Sequence, residues 1–253
     1  PAGHSFDVAG QSYTNLLPVH KKRSLDPGDS KEMVAARRRF LAAGHYQPIA
    51  DAVARALLAG LPDAASCLDA GCGEGYYLRR LAAAADAGQC LALLGLDISK
   101  WAVLAAAKQD RRPNWVVGSN ANLPVLTGTL DRVLCLFGFP VHAEFARVLK
   151  AGGELVQVDA GPGHLRELRE IIYPRLKPER SGEAPTPAGF RHLGTETLGY
   201  SFVLSGTEQI ADLLTMTPHL YRASAEGRAK AAALTVLTLT VDVRLARFAR
   251  DAD

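Results

Sequence analysis

The sequence of 253 residues lacks a membrane-spanning segment, because no apolar run approaches the roughly 18 residues that such a helix needs. Its N-terminus also lacks the pattern of a secretory signal. Cysteine is scarce and has no paired spacing, so the sequence provides no disulfide framework, and buried thiols in a reducing cytoplasm are the better interpretation. The four cysteines are Cys67, Cys72, Cys90 and Cys135.

Neither sign of charge dominates the chain, whose formal net charge of +3 excludes little by itself. The excess is local, since the window from Lys21 to Arg39 holds seven basic and three acidic residues. A basic segment of this kind is typical of a contact with a nucleic acid backbone, although a solvated helix face would have the same charge. The candidate residues for a contact with a nucleic acid are Lys21, Lys22, Arg23, Arg37 and Arg38.

One glycine-rich segment carries more information than the rest of the chain. The residues LDAGCGEGYY, at 68–77, follow a short apolar run and precede a stretch rich in leucine and alanine. This order predicts a strand, a glycine turn and a helix, in which backbone N–H groups at the helix start approach a polar ligand closely. A second acid, Asp97, ends another apolar run 22 residues after Gly75, where doubly wound folds place the carboxylate that binds a ribose.

The spacing of the glycines indicates which cofactor to expect. A dinucleotide fingerprint has a further glycine three residues after its second one, where this chain has Tyr76. Asp69 instead stands at the strand end, ahead of three alternate glycines. Its charge would repel a pyrophosphate but suits a cationic amino group. The pattern resembles motif I of class I S-adenosylmethionine-dependent methyltransferases.

Hydrophobic patterns and turn residues predict an α/β fold with a mostly parallel sheet. Strands are expected near residues 66–70, 92–97, 115–118, 131–137 and 153–158, and helices near 31–43, 48–60, 75–86, 99–109 and 142–149. Two late alternating runs, near 197–204 and 234–243, predict a final pair of strands. The resemblance to methyltransferases implies a Rossmann-like sheet of seven strands with the last one antiparallel.

Six segments resemble one group in particular, the bacterial large-subunit (23S) ribosomal RNA (guanine-N1)-methyltransferases of the RlmA type. They are DVAGQSYTNLL at 7–17, RSLDPGDS at 23–30, FLAAGHYQP at 40–48, DAGCGEGYY at 69–77, GPGHLRELREIIY at 161–173 and LLTMTPHLYRA at 213–223. The resemblance implies that a cytoplasmic enzyme uses S-adenosyl-L-methionine to methylate a guanine N1 in a hairpin of this RNA, with a homodimer as a possible assembly. It also implies an N-terminal extension and basic loop at 1–45 and a methyltransferase domain at 46–253.

The chain departs from the family pattern in two places. The family begins with a zinc module of three cysteines and one histidine, of which the segment Pro1–His4 resembles the tail, without any cysteine before His4. One histidine cannot hold a tetrahedral zinc, so zinc is expected only if a cysteine-bearing module precedes Pro1, and we expect truncation rather than loss of that module. The second departure is the loop Phe137–Pro140, where relatives have an aromatic-Ala-Pro sequence beside the transferred methyl group.

The resemblance also implies a cofactor site around the glycine loop. Asp69 would bind the methionine end of the cofactor, and Gly71 and Gly73 would allow its close approach. Asp97 would bind both ribose hydroxyls, unless it only caps the helix that follows it. Tyr46 could instead pack its own helix turn, and a histidine after a Gly-Pro-Gly turn could be a helix cap. The further cofactor contacts expected are Tyr46, Tyr77, Leu78, Ser119, Asn120 and His164.

The sequence does not identify a residue that would take the proton from guanine N1. The target base would have to leave its stack, and aromatic side chains at Phe137, Phe139 and Tyr221 are candidates to stack on it. Two other functions stay open on the residues alone. One is a methyltransferase that acts on a small molecule, and the other is a methyltransferase-like binding protein without catalysis.

Overall fold

The computed structural model describes residues 9–17, 27–85, 88–176 and 185–252 of the chain. From residue 31 to residue 160 the strands and helices follow one another in the predicted order. The strands are β1 (Tyr13–Asn15), β2 (Ala64–Ala70), β3 (Cys90–Asp97), β4 (Asn114–Val117), β5 (Leu130–Leu136), β6 (Leu149–Ala160), β7 (Phe190–Ser205) and β8 (Val236–Arg250). The helices are α1 (Lys31–Ala42), α2 (Gln47–Leu58), α3 (Tyr76–Ala84), α4 (Lys100–Gln109), α5 (His142–Val148), α6 (Arg166–Ile172), α7 (Thr207–Met216), α8 (His219–Arg222) and α9 (Ala225–Ala232).

The described strands form one sheet in the order β1-β4-β3-β2-β5-β6-β8-β7. Neighbouring strands from β1 to β6 are parallel, and β8 is antiparallel to both of its neighbours. The seven strands other than β1 therefore have the predicted arrangement, with the last one antiparallel. The expectation of seven strands is short by one, because β1 pairs with β4 and adds an eighth strand at the edge. Three residues are too few to show a sequence period, so no partner for this segment was predictable.

Apolar side chains pack on both faces of the sheet, as expected for parallel strands buried on two sides. On one face, helices α1, α2, α3, α4, α6, α7 and α9 contribute to a single large core. On the other face, α5 packs over a smaller core around Phe145, which is fully buried. Every residue of β5 is buried, so this strand forms the centre of the fold.

Helix α1 begins where the sequence predicts. The Ser30 side chain accepts a hydrogen bond from the Met33 backbone N–H, which is the N-cap expected of a serine at this position. Gly44, just beyond the end of the helix, has a φ of +84°. Helix α1 packs against α7 and α4, which brings the N-terminal part of the chain over the glycine loop.

The last two strands are longer than the sequence predicts. Strand β8 pairs with β6 only from Val243 to Ala249, whereas it pairs with β7 over its whole length. Residues 236–242 therefore extend past the end of β6. The turn that follows β6 lies against this extension, and its position becomes important for the site described below.

Candidate active site

The carboxyl ends of the parallel strands meet at one edge of the sheet, where doubly wound folds bind their ligands. The glycine loop after β2 is held there by backbone contacts. The N–H of Gly71 donates to the carbonyl of Leu96 at 2.8 Å. The three glycines of the loop have φ values of +102°, +55° and +81°, in the region that favours glycine. A Cβ on Gly75 would lie 2.5 Å from the ring of Trp115, so a side chain is not tolerated where α3 begins.

Asp97 ends β3 and fixes the shape of the loop. One carboxylate oxygen accepts a hydrogen bond of 2.9 Å from the Gly73 N–H, and the other accepts one of 2.8 Å from the Ser99 N–H. The capping of α4 is performed by Ser99, whose hydroxyl accepts from the Ala102 N–H. Burial raises the pKa of Asp97, although its two backbone donors oppose that shift.

Asp69 ends β2 in the interior of the molecule. Its side chain is buried, and the Oδ2 atom has no hydrogen-bond partner. Burial, together with the nearby charge of Asp97, raises the pKa of Asp69 to about 8. A buried acceptor without a partner is costly, so a ligand that brings a hydrogen-bond donor or a positive charge would stabilise this position.

Asn120, after β4, links two loops of the site. Its amide nitrogen lies 3.4 Å from the carbonyl oxygens of both Ala70 and Phe139. Because the amide nitrogen faces these two acceptors, the Oδ1 atom points away from them, and it is buried without a partner. Its neighbour Ser119 uses its hydroxyl to accept from the Ala121 N–H. The unpartnered oxygen suits a ligand with an amino group.

Three rings lie together beside the ends of β5 and β6. The Tyr46 hydroxyl is 3.1 Å from His164 Nε2, and the ring of Phe137 is centred 5.5 Å from that of His164 and 6.2 Å from that of Tyr46. Phe137 has a φ of +51°, a conformation that is strained for a residue with a side chain. The backbone therefore turns sharply here, and the Phe137 ring is half-exposed.

Comparison with known proteins decides the family. The chain is 34% identical to a protein of Micromonospora griseorubida named as a candidate 23S rRNA (guanine-N(1)-)-methyltransferase, over 98% of this chain and 88% of the relative. The chain belongs to the 23S rRNA (guanine-N1)-methyltransferase family. A 23S rRNA (guanine(748)-N(1))-methyltransferase of Streptomyces fradiae is 37% identical over 67% of this chain and 60% of its own length. The family expected from the sequence is thus confirmed.

Family models and solved structures agree with this assignment. A model of the methyltransferase domain matches residues 67–153, and a model of the RlmA N-terminal zinc ribbon matches residues 1–25. One similar structure belongs to a complex between the Haloferax volcanii Trm112 methyltransferase activator and a candidate methyltransferase, with a TM-score of 0.53 at 17% identity over 89% of this chain and 99% of the other. The [4+2]-cyclase SpnF gives a TM-score of 0.52 at 15% identity over 81% and 82%. At these identities the likeness shows the class I methyltransferase fold alone.

Two residues expected to contact the cofactor follow the glycine loop of this methyltransferase, at the start of α3. Leu78 is fully buried in the core, so no part of it is exposed at the open site. Tyr77 is half-buried, and its pKa is raised by burial first and then by Tyr46 and other neighbours, including Asp69. Its phenol is therefore near enough to Tyr46 and Asp69, two other expected cofactor contacts, for their charges to act on it.

The predicted RNA-binding residues fall into two groups. Lys21, Lys22 and Arg23 lie outside the described residues. Arg38 is exposed on α1. Arg37 instead turns inward, where it pairs with the Asp29 carboxylate and donates to the Met216 carbonyl at 2.9 Å. Charge alone did not reveal these partners.

Arg37 also lies against the glycine loop. Its Nη1 atom would be 3.6 Å from a Cβ built on Gly73, and its charge acts on Asp97. Nothing in the sequence indicates this placement, since α1 and the loop are separated by some thirty residues along the chain. In the described ranges no group of histidine, cysteine and acidic side chains could hold a metal ion. His4, the expected zinc ligand, lies outside those ranges.

The described part of the chain contains no helix that is both long and apolar enough to cross a membrane.

The aromatic side chains proposed to stack on a base are accessible to solvent. Phe139 is 88% exposed and Tyr221 is 70% exposed, while Tyr221 also donates to the Met33 sulfur at 3.5 Å. These exposed rings belong to the loop after β5 and to α8.

Proposed function

We propose that this chain methylates N1 of a guanine in a hairpin of large-subunit (23S) ribosomal RNA, with S-adenosyl-L-methionine as the methyl donor. The observation that carries the cofactor is the buried Asp69 carboxyl group, which lacks a partner at the end of the glycine loop. The RNA substrate is supported by identity over nearly the whole chain to a relative named for that reaction.

The residues present fit this cofactor. Asp69 would receive the ammonium group of the methionine part, since a positive charge offsets the cost of burying the acid. Gly71 and Gly73 leave the loop backbone open to close approach. The Asp97 oxygens each accept one backbone hydrogen bond and retain further lone pairs for the ribose hydroxyls. The unpartnered oxygen of Asn120 would accept from the amino group of the adenine, with Ser119 beside it.

The bound cofactor supplies an electrophilic methyl group on a sulfonium. The protein's task is then alignment, because the leaving group is neutral and needs no proton. Tyr46 and His164 would hold one side of the site and Tyr77 another, while the buried Leu78 would support the start of α3. The strained turn at Phe137 places an aromatic face beside these groups, where a base taken out of its stack would be held by ring contacts.

The basic part of the N-terminal extension would bind the RNA backbone. Lys21, Lys22, Arg23 and Arg38 are the residues proposed for this, because a cluster of positive charges on one segment favours phosphate. Arg37 is better suited to hold α1 against the glycine loop, given its contacts with Asp29 and Met216. We also propose a division into an extension at 1–45 and a methyltransferase domain at 46–253, because the residues proposed for RNA binding all lie before residue 46.

Three further expectations belong to this proposal. If a cysteine-bearing segment precedes Pro1, His4 would complete a tetrahedral zinc site with three thiolates, in agreement with the match to a zinc-ribbon model. A homodimer is the proposed assembly. Because the proposed substrate is ribosomal RNA, the enzyme would act in the cytoplasm.

The proposal is tested in cells that carry or lack the gene. Methylation of N1 blocks the pairing edge of guanine, so reverse transcription of 23S RNA should stop one nucleotide before the modified base only when the protein is present. A gene encoding Asp69→Ala should restore no stop. Equal stops with and without the protein would contradict the proposed RNA substrate and favour a small-molecule acceptor.

A further inference from the structure

The turn after β6 is held against β8 by hydrogen bonds from three alternate residues. The Gly161 N–H donates to the Asp242 carbonyl at 2.7 Å, and the Gly163 N–H donates to the Asp242 carboxylate at 2.8 Å. Two residues later, the Leu165 N–H donates to the Thr240 carbonyl at 2.8 Å. Since β6 has ended, the turn takes its place along the edge of β8. Asp242 thus holds the turn through both its backbone and its side chain.

The glycines of this turn are required by the same contact. A Cβ on Gly161 would lie 2.4 Å from the Asp242 carboxylate, and one on Gly163 would lie 3.1 Å from it. Distances under 3.0 Å demand that something move. The acid therefore fills the space that the absent side chain at Gly161 leaves. The two positions are complementary in shape, although they lie far apart in the sequence.

Asp242 also sets the protonation pattern of His164. The Asp242 backbone N–H donates to His164 Nδ1 at 3.3 Å, so this nitrogen must be the acceptor. The ring proton of neutral histidine then lies on Nε2, which is 3.1 Å from the Tyr46 oxygen and donates to it. Burial lowers the pKa of His164 to about 4, although the charge of Asp242 opposes this, so the ring is neutral at pH 7.

The direction of the hydrogen bonds from Asp242 to His164 and from His164 to Tyr46 decides which atom of Tyr46 is available to a ligand. Because its oxygen accepts from His164, the hydroxyl hydrogen of Tyr46 is directed elsewhere and needs an acceptor. Tyr46 is buried in the core against which Tyr77 packs. Tyr77 follows the glycine loop that begins at Asp69, so the acid proposed for the ammonium group belongs to the segment that packs against Tyr46. In an amino acid, the carboxylate is attached to the carbon that carries the ammonium group.

We propose that Asp242 is a positioning residue, which fixes the turn and the Nε2–H form of His164 so that Tyr46 donates its hydroxyl hydrogen to the carboxylate of the cofactor's methionine part. This inference rests on the proposed function, since it takes the methyl donor to be the ligand. Asp242 itself does not touch that ligand. It acts through His164 and Tyr46.

The test compares two ligands by calorimetry with the full chain. S-adenosylmethionine has the carboxylate, and 5′-methylthioadenosine lacks the whole amino acid part. We expect Asp242→Ala to weaken binding of S-adenosylmethionine about tenfold and to leave binding of 5′-methylthioadenosine unchanged. Tyr46→Phe should give the same selective loss. Because Asp242 acts through His164, the double variant Asp242→Ala/His164→Ala should bind S-adenosylmethionine no more weakly than His164→Ala alone.

Two matched variants and one spectrum separate positioning from general damage to the fold. Asp242→Asn retains an acceptor for the Gly163 N–H and should bind S-adenosylmethionine within threefold of the parent. Asp51→Ala, which removes an acid paired with Arg80 on the surface of α2 and α3, should change neither affinity. Nitrogen-15 NMR of labelled histidine should show the Nε2–H form of His164 in the parent and in Asp242→Asn. Asp242→Ala retains the backbone N–H but loses the Gly163 contact that holds the turn, so His164 should move away from that N–H and show a mixture of forms.

Three results would overturn the inference. They are unchanged binding of S-adenosylmethionine by Asp242→Ala, an equal loss of both ligands in that variant, and additive losses in the double variant. Should Asp242→Ala fail to fold, the selectivity of Tyr46→Phe and the tautomer in the parent chain still decide it, since an Nδ1–H form contradicts this direction of the hydrogen bonds. A parent chain that binds no S-adenosylmethionine would contradict the proposed function instead.

Discussion

The carboxylate of Asp97 is hydrogen-bonded to the backbone N–H of Gly73 at 2.9 Å. Asp97, at the end of β3, therefore holds the glycine loop that follows β2. Its other oxygen is fixed by Ser99 at the start of α4. The group proposed to bind the ribose is thus held in one orientation before any ligand arrives, so binding need not order it.

Replacing Asp97 with alanine should weaken binding of S-adenosylmethionine by about 1.5–3 kcal/mol, the usual loss for hydrogen bonds to a charged group. The loop loses its Gly73 contact in the same variant, so the effect should lie toward the upper end. Calorimetry measures it directly, with Asp51→Ala as a control on the surface. An unchanged affinity would mean that other residues hold the ribose.

Cofactor binding should depend on pH through Asp69. Its pKa of about 8 keeps the carboxyl group protonated at pH 7, whereas an ammonium ligand favours the charged form. Binding therefore releases a proton, and affinity should rise with pH between 6 and 7.5, by up to about tenfold per unit. Calorimetry across this range would show the rise for S-adenosylmethionine. Neither 5′-methylthioadenosine nor the Asp69→Asn variant should show it, and a flat profile for the parent would refute the assignment.

The same raised pKa affects the stability of the ligand-free chain. The folded state holds the Asp69 proton more tightly than the unfolded state does, so folding should become less favourable as pH rises from about 4 to 8. Asp69→Asn cannot lose a proton there. We expect thermal unfolding to show a higher Tm for Asp69→Asn than for the parent at pH 8, and a smaller difference at pH 5. A difference that does not change with pH would argue against a buried proton.

Reversing Lys21, Lys22 and Arg23 to glutamate should weaken binding to 23S RNA and flatten its dependence on salt. The slope of log affinity against log salt falls by about 0.7–0.9 for each phosphate contact removed. Affinity for S-adenosylmethionine should hardly change. Arg37→Ala should instead weaken binding of S-adenosylmethionine and leave the salt dependence of RNA binding unchanged. The reason is that Arg37 lies against Gly73 and is already paired with the Asp29 carboxylate. Filter binding over a series of salt concentrations measures the RNA effect, and a triple variant with the parental slope would exclude this segment.

The site could be predicted from the sequence where its parts are local. The glycine loop, the acids at two strand ends and the N-cap at Ser30 depend on a few neighbouring residues, and the structure has each in the expected element. Strands β2 to β6 were predictable because apolar runs alternate with helix patterns. The antiparallel end of the sheet followed from the family resemblance rather than from any pattern in the chain.

The parts that escaped prediction depend on contacts between distant residues. Arg37 and Arg38 are equivalent by charge, yet one is directed inward to Asp29 and the other to solvent. The contact of His164 with Asp242 joins residues 78 apart, and neither residue alone indicates it. The Gly-Pro-Gly spacing before His164 was the one available signal. This spacing indicates that another group packs closely against the turn, but it does not identify that group.

The central claim is the transfer of a methyl group to guanine N1 of 23S RNA. The most direct test incubates the purified chain with labelled S-adenosylmethionine and 23S RNA, then digests the RNA and separates its nucleosides by chromatography and mass spectrometry. We expect label in 1-methylguanosine at one position, and none with Asp69→Ala. Label in another nucleoside, or none at all from a chain that binds the cofactor and the RNA, would contradict it.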